Sequence, residues 1–491
     1  MPVNTWLPRA HPAAPANVSA ILSGAILNLG IYGIVRLNLD LVPVDTVGAG
    51  LIVLVVGAVS ALVGILYATT EDDLKAMLAH SSIENIGIVT VGLGAGIVFT
   101  AYGRSALAGI AFVAAFYHMI NHSVYKTLLF LGAGTVNDRA GTRDLNRLGG
   151  LIRTMPWTAG AVLVGALAIS SLPPFNGFVS EWLTLQTMLR SVELPSILVK
   201  IVFALCGAGL ALTAALAVTC FVKMFAMGFL GMSRSEGAAK AVEAQRSSIL
   251  PMVCLAMLCL LLGVLPTYVI PMLDTVSTQA TGVSAGDALV PPFFASAPAH
   301  DSLPPAFAAE FHDLGAQVGQ DVLPGRGLVV MHRGGAENPV VFAMSTSYMV
   351  AALIVLLLLT YGVIRLWLTR ARRLSRRERW DGGVRRLLPE MTYSATGFSN
   401  PVRVIFDAIF RPTTVEDTSE TVAEHFRMAI RRERLAVHVL DRFAVRPAGS
   451  AAMGLARGLA TMHHGRINAY IAYVLLALLL ALAAGLSASA V

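Results

Sequence analysis

The chain is short of charge. Only 13% of its 491 residues are Asp, Glu, Lys or Arg, while 56% are hydrophobic. An average globular chain carries about 25% charged residues, so this one cannot cover a water-facing surface, which excludes a soluble enzyme of ordinary type. Lysine is scarcer still: of 36 basic residues, five are Lys (Lys75, Lys126, Lys200, Lys223 and Lys240) and the rest Arg. Cysteine is limited to Cys206, Cys220, Cys254 and Cys259, each inside an apolar run and none in a Cys-x-x-Cys or Cys/His cluster. No ligand set for an iron–sulfur, zinc or nickel site is therefore visible, and no disulfide framework is implied. Buried Cys of this kind ordinarily serves as small apolar filler. A cleavable signal is not expected, because the first apolar run is too long for an h-region.

What the chain has in plenty is apolar length. A helix needs about 20 residues to cross about 30 Å of hydrocarbon. About nine runs reach that length: 17–36, 48–68, 76–99, 107–134, 158–190, 198–230, 249–271, 346–369 and 468–488. Pro173, Pro174 and Gly177 interrupt the fifth, which reads as two half-helices with a break at depth. The fold predicted is an all-α multi-pass membrane protein. Basic loop residues orient it. Arg139, Arg143, Arg147 and Arg153 follow the fourth span, and Arg234, Lys240 and Arg246 follow the sixth. Arg370, Arg372, Arg373, Arg376, Arg377 and Arg379 follow the eighth. With these inside, the loops 37–47, 100–106, 191–197 and 272–345 fall outside, the N-terminus is cytoplasmic and the C-terminus external.

The inside segment 370–466 reads as a basic polar arm. It holds 18 arginines and no lysine, so most of the basic excess lies where the positive-inside rule needs it and nucleic-acid binding is not expected. Asn400 and Pro401 supply a helix cap and a first-position proline. Behind them Val402, Ile405, Phe406, Ile409 and Phe410 form an apolar stripe. A second helical stretch is expected at about 418–443.

The chemistry-bearing residues lie inside the spans. His118, His122 and Lys126 recur every four residues well within the fourth run, so they share one helix face. A charge at that depth costs at least about 2.5–3.5 kcal/mol on insertion scales, so such residues ordinarily pair, line water and carry function. Histidine titrates near neutral pH, and a buried lysine can give up its proton where arginine cannot. The stripe fits a proton relay, or a polar seam joining helices. Zinc binding is disfavoured because no third ligand is at hand. The third span opens on His80, Ser81, Ser82, Glu84 and Asn85, with Glu84 one turn from His80. That cluster fits either relay residues or an interfacial helix start reaching headgroup water. Glu181 follows the Pro-Pro break, the kind of discontinuity that lines transport sites. Lys223 reads as a snorkelling residue near the end of its span. Lys75 and Lys240 read as anchors in inside loops, and Lys200 as one at an outer helix end.

Three strings carry a resemblance. They are Glu71-Asp-Asp-Leu-Lys-Ala-Met-Leu-Ala-His-Ser-Ser-Ile-Glu-Asn-Ile-Gly87, His118-Met-Ile-Asn-His122 with Lys126, and Ser171-Leu-Pro-Pro-Phe-Asn-Gly-Phe-Val-Ser-Glu-Trp182. They resemble the proton-pumping antiporter-like membrane subunits of complex I and of multisubunit cation/proton antiporters. The wording Ser-Ser-Ile-Glu-Asn-Ile-Gly, and the tail from Met391 to Pro401, are most similar to the branch found in hydrogenase 4 and in formate hydrogenlyase.

The resemblance implies two inverted five-helix repeats and a line of Lys, His and Glu residues carrying protons at mid-membrane. His118, His122, Lys126 and Glu181 fall on that line, with Glu84, His80, Lys223 and Asn28 as further candidates. It implies a bundle over 1–271 with the second repeat at about 48–230, an external loop at 272–345 and a span at 346–369. A cytoplasmic arm with amphipathic helices follows at 370–466, then a last span at 467–491. No cofactor, catalytic residue or metal ligand is expected in this chain. Iron–sulfur and nickel–iron or flavin centres belong to partner subunits of a hydrogenase or NADH:quinone oxidoreductase-type arm in a bacterial inner membrane, and the ion moved is the proton or Na+. Two departures stand out. The chain is similar to the family's last nine helices and lacks the first seven, and Asn28 stands where the family commonly has lysine. A non-conducting scaffold and a subunit of a stand-alone antiporter are the alternative roles.

Overall fold

The computed structural model describes residues 4–41, 46–283, 285, 346–368, 388–410, 413–414, 434–435, 446–460, 472 and 474–480. They form two compact units, Trp6–Phe406 and Asp407–Val491, the second taking in Pro2–Thr5.

Among the described residues the first unit is built of helices. A short helix α1 (Leu7–Ala13) leads into α2 (Ala16–Ile21) and α3 (Leu27–Val35), joined by a wider π turn at Leu22–Ile26. Then come α4 (Val47–Thr70), α5 (Leu74–Ala101) and α6 (Ser105–Ala140). The fifth expected span is two pieces, α7 (Pro156–Ile169) and α8 (Asn176–Leu189), separated by the Pro-Pro turn. Next are α9 (Ile197–Phe229), the single turn α10 (Glu236–Lys240), α11 (Arg246–Val264) and α12 (Pro266–Thr281). After the undescribed 286–345 come α13 (Thr346–Val363) and α14 (Ala395–Ile405). Among the described residues six helices are long and apolar enough to cross a membrane: Ala16–Asn38, α4, α5, α6, α9 and α11.

The core is built on α5, whose residues from Leu74 to Phe99 are all buried. Glycines decide how closely α4 approaches it. Gly50, Gly57 and Gly64 stand seven residues apart on α4 and meet α5 backbone to backbone. A methyl group on Gly57 would lie 2.7 Å from Val91 N, and one on Gly64 2.6 Å from Glu84 N. Gly87 answers from α5, where a methyl would lie 2.7 Å from Gly57 O. Around this pair α6, α8 and α9 close the bundle, Phe99 of α5 meeting Phe203 of α9 at 5.5 Å between centroids.

Several expected boundaries move. The run 249–271 is two helices, because Pro266 has no N–H to continue α11 and starts α12 instead. The first part of the expected 272–345 loop is the rest of α12, held by Asp274, whose Oδ1 accepts from Ser277 Oγ at 2.8 Å and Ala285 N at 2.8 Å. The helix expected to be capped by Asn400 starts six residues earlier, capped by Ser394 Oγ on Gly397 N, and Pro401 lies inside it. Its apolar stripe is only partly covered: Val402 is buried but Ile405 is 73% exposed.

The second unit contains α15 (Asp407–Phe410) and α16 (Arg446–Ala460). It also has a two-residue antiparallel pair, β1 (Thr413–Thr414) with β2 (Arg434–Leu435). The helix expected at 418–443 lies outside the described residues except for 434–435, which pair with 413–414; apart from that two-residue pair the described elements are helical, as expected. The span expected at 468–488 lies outside them too, except for 472 and 474–480.

Candidate functional site

A polar chain crosses the middle of the bundle where α5, α6 and α8 meet. Asn85 of α5 sets its direction. Its Nδ2 donates to Ser81 O at 2.7 Å, so its Oδ1 must face the other way, where Tyr125 Oη donates at 2.5 Å. His118 Nε2 lies 3.2 Å from the same Oδ1. An amide oxygen only accepts, so His118 Nε2 carries a proton. Ser180 Oγ lies 3.0 Å from Nδ1 and takes a bond from Asn121 Nδ2 at 3.0 Å. Asn121 and Asn176 close the end of the chain, Asn176 Nδ2 donating to Asn121 Oδ1 at 3.1 Å. His118 is thus bonded at both ring nitrogens, and its Nε2 is the donor to Asn85.

The ionisable residues lie along this chain. Lys126 is fully buried, its Nζ donating to Leu78 O at 2.8 Å and Ser81 Oγ at 2.5 Å. An ammonium has three donors, so one is left over, and no carboxylate lies within 4 Å of it among the described residues. Glu84 is 1% exposed and within electrostatic reach of Glu181 and Lys126. It does not reach headgroup water. Its nearest hydrogen bond is from Asn85 Nδ2 at 3.4 Å. Glu181 is half-buried at the start of α8, next to Ser180. His122 is wholly buried, edge-on to Tyr125 at 5.9 Å, and neither ring nitrogen has a hydrogen-bond partner among the described residues. Asn28 lies apart from Lys126's partners: its Nδ2 donates to Ser123 Oγ at 2.8 Å and Gly24 O at 3.2 Å.

The break that carries Glu181 has its own reasons. Pro173 and Pro174 end α7's hydrogen bonding, and the peptide between them is cis. Gly177 is not in the break but in the first turn of α8, where the Ala168 carbonyl of α7 occupies the space a side chain would need. Gly263 of α11 likewise admits the Pro174–Asn176 backbone.

A second polar cluster caps one end of the bundle, and it absorbs residues whose role the sequence misplaced. Lys223 does not snorkel: it is 0% exposed, and its Nζ donates to Thr69 O at 2.8 Å, Glu71 O at 2.5 Å and Ser399 Oγ at 2.9 Å. Asp72 Oδ1 stands 3.7 Å away. Helix α14 thereby docks on the α4–α5 turn, with Thr396 Oγ1 donating to Asp72 Oδ2 at 2.7 Å and Arg403 to Thr70 O at 2.5 Å. His80 pairs not with Glu84 but with Glu71, 3.8 Å away, and stacks on Tyr67. Burial, helped by the Asp72 and Asp73 carboxylates, pushes Glu71 above the usual carboxylate range. Lys75 is no loop anchor either. It sits buried in the first turn of α5 and reaches Ala14 O at 2.7 Å. Lys240 does lie exposed, paired with Glu236.

Sequence reasoning missed Asn121, Tyr125 and Ser180, although Asn121 and Tyr125 lie within one turn of the histidines on the same helix. It also missed Ser399 and Asp72, which are brought together from 327 positions apart in the chain. No cluster of metal-ligating side chains occurs among the described residues.

Residues 1–210 match the family described as NADH:quinone oxidoreductase/Mrp antiporter, TM. Hydrogenase-4 component B of Escherichia coli K12 is 33% identical over 493 residues, covering 99% of this chain and 66% of that protein. The chain belongs to the antiporter-like membrane subunits. Formate hydrogenlyase subunit 3 of the same organism is 38% identical over 274 residues, 56% of this chain and 45% of that one. A chain in the structure of the membrane-bound sulfane sulfur reductase, an archaeal respiratory membrane complex, has the same fold at a TM-score of 0.65. That match has 20% identity and covers 98% of this chain and 65% of that one. This antiporter-like subunit therefore spans about two thirds of the length of the first relative.

Proposed function

We propose that this antiporter-like subunit moves protons through the middle of its bundle, in the membrane arm of a hydrogenase- or NADH:quinone oxidoreductase-type complex. Its partners are other membrane subunits and a peripheral arm that holds the electron-transfer centres. The observation that carries this reading is the oriented chain Asn121–Ser180–His118–Asn85–Tyr125 across three helices, with Lys126, Glu84 and Glu181 beside it. Neutral His118 can take a proton at Nδ1 and release one from Nε2. Lys126 holds a proton without a fixed carboxylate partner, so losing it strands no counter-charge within 4 Å. Glu181, half-buried beside the helix break, adjoins Ser180 of the chain. His122 has no protein partner, and water is the partner that fits a buried imidazole of this kind. Asn28 cannot hold a proton, so the line runs through Lys126 and not through that position. The arginine-rich loops set the cytoplasmic side at the end bearing Arg143.

Two variants test this in inverted membrane vesicles carrying the assembled complex. Lys126→Ala and Glu181→Gln are expected to lower proton translocation by at least about tenfold with assembly unchanged. Wild-type translocation in both would overturn the reading and favour a scaffold.

A further inference from the structure

The Lys223 end of the bundle is closed by a helix that is held there only loosely. Beneath it, Lys223 and Cys220 of α9 and Lys126 of α6 are 0% exposed, and Glu84 of α5 is 1% exposed. Cys220 stands one turn deeper than Lys223 on the same face of α9, and the charges of Lys223, Glu84 and Lys126 all reach it. It therefore lies between the two polar clusters. The distance from this end to the relay is short. Leu78 and Ser81, which hold Lys126, lie about 6–11 Å along α5 from its first residue at 1.5 Å per residue.

What closes this end is α14. It buries one narrow stripe, Ala395, Ser399 and Val402, while Val404 and Ile405 are 65% and 73% exposed. Its hold on the bundle is mostly polar. Ser399 Oγ accepts from Lys223 Nζ at 2.9 Å and donates to Thr69 O at 2.8 Å. Thr396 N donates to Asn146 Oδ1 at 3.2 Å and its hydroxyl to Asp72 Oδ2 at 2.7 Å. Arg403 adds its bond to Thr70 O. Elsewhere the bundle is closed by apolar packing, as where Phe99 meets Phe203. Water can stand in for every polar partner of α14, and its 11 residues fall below the roughly 12–15 that a helix needs to hold in isolation. Docking and helix formation are thus one local equilibrium, of the kind that opens without global unfolding.

We propose that α14 is a removable cover over the Arg143 end of the bundle. Docked, it keeps water off Lys223 and Cys220. Released, it admits water along α9 as far as Lys126. The groups it uncovers are Lys223 Nζ and the Thr69 and Thr70 carbonyls, all of which water can satisfy, so opening strands no buried donor or acceptor. Asp72, already 24% exposed, stands at the rim beside Lys223 and keeps the opened mouth polar. Lys223 is the residue that cover and bundle share: its ammonium bonds Ser399 when α14 is docked and faces water when it leaves. Access to the interior from this side is thereby set by the segment that carries α14 and not by the relay itself.

For transport the inference rests on Lys126 being a proton carrier; for access it does not, and the test reads the two separately. Replacing Cys206, Cys254 and Cys259 by Ser leaves Cys220 as the one thiol of the chain. Inverted vesicles holding the whole complex present the cytoplasmic side to a charged, membrane-impermeant methanethiosulfonate, and labelling is read on this subunit by mass. Thr396→Ala with Arg403→Ala loosens α14. Asn146→Cys with Thr396→Cys, joined by a short bis-methanethiosulfonate linker before labelling, locks it. Cys220 should label at least about tenfold faster in the loosened form and at least about tenfold slower in the locked one, because labelling follows the open population. Locking should lower proton translocation by a similar factor, and reducing the linker should restore it. Equal labelling in all forms would overturn the cover. Full translocation in the locked form would overturn its part in transport. Lost translocation in the loosened form without faster labelling would mark α14 as structural and overturn the proposal as well. Full translocation in Lys126→Ala would instead overturn the relay, which the labelling of Cys220 does not depend on.

Discussion

Replacing Lys223 by methionine should loosen the end of the bundle where α14 docks. The side chain keeps its length, so no cavity opens, and the loss is electrostatic and hydrogen-bonding. Three acceptors lose a donor: Thr69 O, Glu71 O and Ser399 Oγ. Ser399 still donates to Thr69 O at 2.8 Å, so the Thr69 carbonyl is not left bare. The ion pair with Asp72 adds little, since its 3.7 Å separation and the 24% exposure of Asp72 allow solvent screening. The Glu71 carbonyl and one hydroxyl lone pair remain stranded, at about 1–3 kcal/mol for each group left buried and unbonded. A total of about 3 kcal/mol corresponds to a fall of roughly 6–12 °C in the thermal midpoint. The native cysteines supply the assay. Cys206, Cys220 and Cys259 are buried and Cys254 is exposed. A fluorogenic thiol reagent applied to the Cys254→Ser background therefore reports unfolding, with Cys220 less than one turn from the altered residue. In a cycle with Ser399→Ala, the two losses should be less than additive. A midpoint that moves by less than about 1 °C, with additive effects, would refute the docking energetics.

Two further outcomes follow from the same geometry. Gly177→Ala drives a methyl group into the Ala168 carbonyl, so it should destabilise by about 1–3 kcal/mol as an overpacked contact. The thiol assay checks this, and an unchanged midpoint would mean that the half-helices do not touch there. Glu71 has its folded-state value raised, so the folded chain favours its protonated form and loses stability as pH rises through that value. Glu71→Gln should therefore melt higher than wild type at about pH 8 and converge with it in mild acid. A difference independent of pH would show that burial and the Asp72 and Asp73 carboxylates do not raise Glu71 in the folded chain.

Much of this was legible because a membrane forces backbone groups to satisfy themselves within helices, so apolar length and proline breaks translate directly into elements. The α7–α8 discontinuity at Pro173 and Pro174 is the clearest case. His118 and Lys126 were legible for a related reason: four-residue spacing fixes a shared face whatever surrounds it. Lys75 and Lys223 were not, because at a helix end burial is set by what covers it. The covers are α1 for Lys75 and α14 for Lys223, the latter more than 170 residues away along the chain. His11 precedes every apolar run, and only the stack on Phe130 reveals it as interior.

The glycine contacts between α4 and α5 also limit how such a subunit can transmit work. With Gly57 and Gly64 set against the α5 backbone at a seven-residue interval, the two helices fit in one register only. Sliding α4 by one residue would drive the side chain of Ala58 or Val56 into a space that admits no Cβ. A piston stroke along this pair is therefore mechanically blocked.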